Sequence, residues 1–220
     1  MFDRVKHEAF YTTGEEIFNA VTHGIGSVLA IAGTGALLAL STWKNFWVNL
    51  IYGLSMVLLY TMSTLYHAFP QAKLKHIFRI FDHASIFILI AGSYTPFTLI
   101  LLGDTRKGPL ICAIVWAAAV LGVVLNVFSV EKFAGLSMLL YVAMGWALVF
   151  AIGDVVRALP PAGFWLLLAG GLAYTGGIVF YAWHKKFRTP YIHGVWHLFV
   201  LLGSILHYLC VLLYVVPVQG

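Results

Sequence analysis

Apolar residues fill most of the chain in blocks of roughly one bilayer thickness, separated by short clusters of charged, Pro or Gly residues. A helix needs about 20 predominantly apolar residues to cross the hydrocarbon core of a bilayer. Cutting at the polar clusters leaves seven such blocks and predicts helices over 17–40, 46–69, 80–102, 109–128, 134–152, 163–183 and 193–216. The connections between them are short, and nothing remains that could form a separate soluble domain. Residues 1–220 are therefore expected to make a single domain, without internal repeats or low-complexity tracts. The expected fold class is all-α, a polytopic seven-transmembrane helix bundle.

Composition supports that reading. Of 220 residues, 61% are hydrophobic and 10% charged, and the mean hydropathy is +0.92. A soluble domain runs about 45–50% apolar and about 25% charged, and a chain of this length has too little interior to hide the excess. Disorder, a collagen-like repeat and a disulfide scaffold are excluded by the same figures. Cys112 and Cys210 lie inside apolar runs and show no CxxC spacing. The first sixteen residues carry Asp3, Glu8, Glu15 and Glu16 without a basic region leading into a short apolar core, so no cleavable signal is expected.

Thirteen Lys and Arg against eight Asp and Glu give a net charge of +5. The basic residues sit in short loops and form no long stripe of the kind nucleic acid requires, so no nucleic-acid partner is expected. Nine of them fall on the amino-terminal segment and the second, fourth and sixth loops, and four on the opposite side. Because Lys and Arg gather in cytoplasmic loops, the N-terminus is expected in the cytoplasm and the C-terminus outside.

Ionisable groups inside a span are costly and mark candidate function. Spans four, five and six contain no Asp, Glu, Lys or Arg. Span two ends Ser63-Thr64-Leu65-Tyr66-His67, which puts Ser63 and His67 on one helical face. Span three opens Phe81-Asp82-His83, and span seven opens His193-Gly194-Val195-Trp196-His197, again an i,i+4 pair. With the orientation above, Ser63, His67, Asp82, His193 and His197 all fall within about 10 Å of the cytoplasmic boundary. Three imidazoles and an open fourth position match a catalytic zinc arrangement. Asp82 would accept a proton from water, and Ser63 would hydrogen-bond the water or a substrate carbonyl.

Each piece also has a plainer reading. An HxxxH pair often serves packing. An Asp at a span end is commonly a solvated cap or a partner for a loop cation such as Lys73, Lys75 or Arg79. A Ser in a membrane helix usually bonds back to its own backbone or packs on a neighbour. Their coincidence at one depth favours metal. His23, with Asn19 one turn earlier, reads as a helix-packing hydrogen bond or a support for a metal ligand. His207 lies about 15 Å beyond His197 along the same helix and is expected to bond to a neighbouring helix. His83 is expected to face a neighbour or headgroups, and His7, His76 and His184 read as loop residues. Pro96 is expected to kink span three, with nearby hydroxyls taking the freed backbone groups. Gly170, Gly171, Gly176 and Gly177 would let span six approach its neighbours closely.

The ordered combination of Glu15-Glu16-Ile17-Phe18-Asn19-Ala20-Val21-Thr22-His23-Gly24, Ser63 to His67, Phe81-Asp82-His83, Gly92 to Phe97, His193 to His197 and His207-Tyr208 resembles the bacterial hemolysin III proteins. These are the prokaryotic branch of the progestin and adipoQ receptor family, which includes the adiponectin receptors. The resemblance implies a seven-helix bundle with a zinc ion near the cytoplasmic face, held by His67, His193 and His197, with Ser63 and Asp82 at the family's other polar positions. It also implies kinship with alkaline ceramidases, hence amide or ester cleavage in lipids. Against the eukaryotic receptors, with their long amino-terminal domain, no such domain and no hormone-receptor role are expected here. Cytolysis and membrane-fluidity homeostasis are further associations of the bacterial members.

Three classes of function follow. The first is a zinc-dependent hydrolase acting on membrane lipids in a bacterial plasma membrane, with Ser63 and Asp82 catalytic and His67, His193 and His197 on the metal. The second is a non-enzymatic regulator or sensor in which zinc is structural and lipids bias helix packing. A pore is disfavoured, because strong polar groups cluster at one end rather than lining a path through the membrane. Substrate identity and oligomeric state have no signature in these residues.

Overall fold

The computed structural model describes residues 11–219. Asp3, Arg4, Lys6, His7 and Glu8 of the preceding analysis lie outside the described residues. The described part holds seven helices long and apolar enough to cross a membrane and no strand. They are α1 (Thr13–Ala39), α2 (Trp43–Ala68), α3 (Ala72–Pro96), α4 (Lys107–Phe128), α5 (Val130–Gly145) with α6 (Ile152–Ala158), α7 (Pro161–Phe187) and α8 (Ile192–Cys210). A π-helical turn, Phe97–Leu101, prolongs α3, and another, Val211–Val215, prolongs α8.

Local chemistry sets several of these limits. Thr12 caps α1 in a reciprocal box: its hydroxyl accepts from Glu15 N, and the Glu15 carboxylate accepts from Thr12 N. Helix α3 begins well before the predicted residue 80, because Lys73, Lys75 and Arg79 stay helical outside the apolar stretch. The same holds for Lys185 and Lys186 at the end of α7. Charge limits what lipid will accept, not where a helix stops. Pro96 cannot donate to the helix ladder, and the π-helical turn follows it. The Thr95 and Thr98 hydroxyls bond to Ala91 O and Tyr94 O, neither of which is the Gly92 carbonyl that Pro96 leaves without its helical donor.

The fifth span carries a break that its apolar pattern does not predict. A 3₁₀ turn, Ala147–Ala151, separates α5 from α6, and Tyr94 of α3 attends to the exposed backbone. Its hydroxyl donates to Gly145 O at 2.7 Å and accepts from Leu148 N at 3.3 Å. In a membrane interior such freed groups persist only where protein or water re-satisfies them.

The third span is the centre of the bundle. Its most apolar stretch is 78% buried, against 17% for the fifth span and 22% for the sixth. α1 packs on α2, α2 on α3, α3 on α4, α7 on α8 and α1 on α8. By contrast, α5 leans on α3 and α4 and is not closely packed on α7. The outer faces expose Val21, Val28 and Ile31 of α1 and Ile114, Leu121 and Val127 of α4, while Asn19, His23, Ser63, His67 and Asp82 are buried. An apolar exterior around a partly polar interior fits a lipid solvent.

Small residues carry the closest approaches. A Cβ on Gly122 of α4 would sit 2.2 Å from a Phe87 ring carbon of α3, and that ring is wholly buried, so it has nowhere to swing. Gly135 of α5 has open space beside it. Gly122→Ala is therefore expected to destabilise the protein by about 1–3 kcal/mol through overpacking, whereas Gly135→Ala leaves stability unchanged or raises it slightly. Thermal unfolding in detergent reads the difference. A Gly122→Ala protein melting no lower than Gly135→Ala would contradict this packing.

Candidate metal centre

The bend between α7 and α8 forces Arg188 and Tyr191 into the left-handed region, with φ of 51° and 61°. No local side chain caps α8; Glu15 of α1 instead accepts from Tyr191 N at 3.0 Å through Oε1. The start of α8 is thereby tied to the start of α1. Gly194 permits the contact, since a Cβ there would meet the Phe18 ring at 2.3 Å and Asn19 Oδ1 at 2.9 Å. On this close-set first turn stand His193 and, one turn on, His197. His67 arrives from the last turn of α2.

One ring nitrogen from each of His67, His193 and His197 lies within 4.8 Å of the others, and all three residues are buried. The hydrogen bonds decide which nitrogens face inward. His67 Nδ1 bonds to Glu16 Oε2 at 2.7 Å, leaving Nε2 without a partner among the described residues. Thr22 donates its hydroxyl proton to Asn19 O at 2.9 Å and so accepts from His197 Nδ1 at 3.3 Å. That tautomer turns a lone pair on His197 Nε2 toward His193 Nε2, 3.2 Å away. With bonds of about 2.0–2.1 Å, two nitrogens on a tetrahedral zinc stand ~3.3–3.4 Å apart. Converging buried lone pairs, one ring braced by a carboxylate and another by a hydroxyl, are what a three-His metal site requires. The residues present fit a metal ion.

Ser63, one turn before His67, is fully buried, and its hydroxyl makes no well-formed hydrogen bond. This separates it from Thr34, Ser55, Thr64 and Ser85, which all bond back to their own helices. Its neighbour across the helix boundary is the Asp82 carboxyl of α3. Asp82 is buried rather than solvated. Lys75 pairs with Glu16 at 2.7 Å, and Arg79 pairs with Glu131 at 2.5 Å; Asp82 Oδ2 lies 3.5 Å from His83 Nδ1.

Other histidines depart from their sequence reading. The His23 nitrogens make no hydrogen bond among the described residues; the ring stacks on His197 at 3.6 Å and 8°. His83 does not face headgroups, since its ring folds back on Arg79 O at 2.9 Å and lines the interior cavity. His184 belongs to the last turn of α7 rather than a loop, with its ring 5.5 Å from His193. His76 likewise is helical, in the exposed first turns of α3. Tyr11, just ahead of α1, covers the site, its ring 5.5, 5.2 and 5.0 Å from His67, His184 and His193. Burial pushes the Tyr11 hydroxyl well above its ordinary value, with Tyr66 and Tyr181 adding to the effect, so it stays protonated.

Asp82 and His23 line a cavity that runs between α3, α5, α7 and α8 toward His207. Its walls are mainly apolar, including Leu89, Ile90, Met138, Val142 and Ile178. The poorly packed seam between α5 and α7 forms one side, bridged by Trp146 Nε1 donating to Thr175 Oγ1 at 3.1 Å.

The haemolysin-III-related family model matches residues 11–208. The chain belongs to that family. It is 43% identical over 211 residues to Hemolysin-3 of Bacillus cereus, covering 92% of this chain and 93% of that one. Against the Hemolysin-3 homolog of Bacillus subtilis (strain 168), identity is 42% over 212 residues, covering 94% and 98%. The human monocyte to macrophage differentiation factor matches at 29% over 207 residues, covering 90% and 83%. Family membership and seven apolar helices make this an integral membrane protein.

Sequence reasoning missed Glu16 and Thr22 as supports of the histidines and Tyr11 as their cover. A signal for the first existed: Glu16, Asn19 and His23 repeat at helical spacing on one face of α1. Nothing in the sequence joins that face to His67 and His197. If Glu16 orients His67, Glu16→Gln is expected to weaken zinc affinity about 10- to 100-fold, measured by chelator competition on folded protein. Unchanged affinity would remove Glu16 from the site.

Proposed function

We propose that this protein binds one zinc ion through His67, His193 and His197 near the cytoplasmic face of a bacterial plasma membrane. There it hydrolyses an amide or ester bond of a membrane lipid, in the service of lipid or fluidity homeostasis. The observation that carries this reading is the apolar cavity that meets Asp82 and His23 at one end and has the loose α5–α7 seam along its side. A lipid chain entering between α5 and α7 would lie along the apolar walls and bring its carbonyl to Asp82, with Ser63 beside that carboxyl.

Zinc, when bound, polarises a carbonyl and lowers the pKa of water toward about 7. The protein's own groups do the rest. The Asp82 carboxylate takes a proton from the attacking water and passes it to the departing amine or alcohol as the carbon–nitrogen or carbon–oxygen bond breaks. Ser63, whose hydroxyl is not spent on its own helix, donates to the carbonyl oxygen as charge develops there. Burial of the cluster keeps bulk water from competing, and Glu16 and Thr22 hold the imidazoles in one tautomer.

A second reading has its own support. α2 and α8 are not closely packed backbone to backbone, so an ion shared by His67, His193 and His197 would clamp them together, as a structural zinc in a lipid-responsive regulator. Turnover separates the two. Purified protein is to be assayed against lipid amides and esters beside Asp82→Asn. The hydrolase reading expects product from wild type and a loss of about 100-fold or more in the variant, with zinc content unchanged. Full turnover by Asp82→Asn would contradict the mechanism, and a metal-loaded wild type with no product would favour the regulator.

A further inference from the structure

The cavity has a second polar station far from the histidine cluster. Beyond the main chamber a smaller one continues along α5, α6 and α7, and the two share a neck. Four side chains at the neck carry hydrogen-bonding atoms: Ser93, Tyr94, Trp146 and His207. Tyr94 and Trp146 are spent, on the α5–α6 break and on Thr175 respectively. His207 is different. Its Nε2 lies 3.1 Å from Leu167 O, and a carbonyl only accepts, so Nε2 bears the proton and Nδ1 is a bare lone pair.

That lone pair has no partner among the described residues, although His207 is more than nine-tenths buried. The ring is held firmly. Gly170 leaves room for its Cδ2–Nε2 edge, and the rings of Phe97 and Tyr174 stand edge-on at 5.9 and 5.3 Å. With that edge against α7, Nδ1 is turned away from it. Ser93 donates its only proton to Ile90 O at 2.8 Å, so its oxygen too is left only to accept. The side chains that line the neck therefore hold two unspent acceptors and no unspent donor, between two apolar chambers.

The geometry points to His207 and Ser93 as a recognition site for a hydroxyl group carried partway along a lipid hydrocarbon chain. His207 follows His197 by ten residues on one helix, which is about 15 Å. An extended chain advances about 3.8 Å for every three bonds, so the hydroxyl belongs roughly twelve bonds from the group held at the histidine cluster. This deepens the lipid-hydrolase reading, since it takes the cavity as the lipid's site, but it needs no turnover.

Octadecanoic acid and 12-hydroxyoctadecanoic acid are the probes, each competing with a fluorescent fatty acid for purified protein in one detergent. Partition into micelles then cancels when the affinity ratio is compared between variants. Wild type is expected to prefer the hydroxy acid roughly three- to tenfold, the worth of one neutral hydrogen bond. In His207→Leu the two acids should bind alike, and in Ser93→Ala, a smaller change that tests the neck should His207→Leu fail to fold, the preference should fall. The ratio is expected to persist after zinc is stripped by chelator, so a failed hydrolase reading would leave it standing. Equal binding of both acids to wild type, with the neck holding water instead, would overturn the proposal. So would a preference that survives in both variants.

Discussion

A polar atom buried in a bilayer must find its partner inside the protein or hold something there, since no bulk water reaches it. Most of this bundle obeys the first alternative. Buried Ser and Thr hydroxyls return to their own helices, Tyr60 and Tyr174 converge on Ser204, and Tyr94 repairs the broken fifth span. Among the described residues the exceptions fall into groups: Asn19, His23, Ser63, His67 Nε2 and His193 Nδ1 gather about the histidine cluster, His207 Nδ1 lies at the neck, and Tyr52, Asn45, Asn49 and Asn126 each keep an unpaired atom elsewhere.

The rest of the architecture can be seen as the means of keeping those exceptions in place. Glu15 closes the start of α8 onto α1, and Gly194 lets the helices touch. Glu16 then links His67 of α2 to Lys75 of α3. Two neighbouring acids in one helical turn thus fix three other helices around one point. The fifth and sixth spans lie at the periphery, with α7 packed on α8 and only weakly on α5, and the interior cavity lies behind that seam.

Much of this was legible in the sequence because the bilayer simplifies the code. Seven apolar runs mark seven spans, and five polar residues at one depth on spans two, three and seven mark the cluster. Two kinds of feature were not legible. Charged turns at the start of α3 and the end of α7 obscured where helices end, since a helix can run on into headgroups and water. Contacts made across the bundle, such as Tyr94 with the α5–α6 break or Thr22 with His197, depend on rotations about helix axes that hydropathy does not encode. The stacking of His23 on His197, where a hydrogen bond was expected, belongs to the same class.

The central claim is that the histidine cluster is a zinc site, and metal content tests it most directly. Protein purified without added metal, and again after zinc is supplied, is to be analysed for bound zinc beside His67→Ala and the His193→Ala/His197→Ala double variant. The account predicts about one zinc per chain in the wild type, as a single three-His site requires, and its loss from both variants. A wild type that stays metal-free even when zinc is supplied would contradict it, and would make the cluster a hydrogen-bonded clamp between helices.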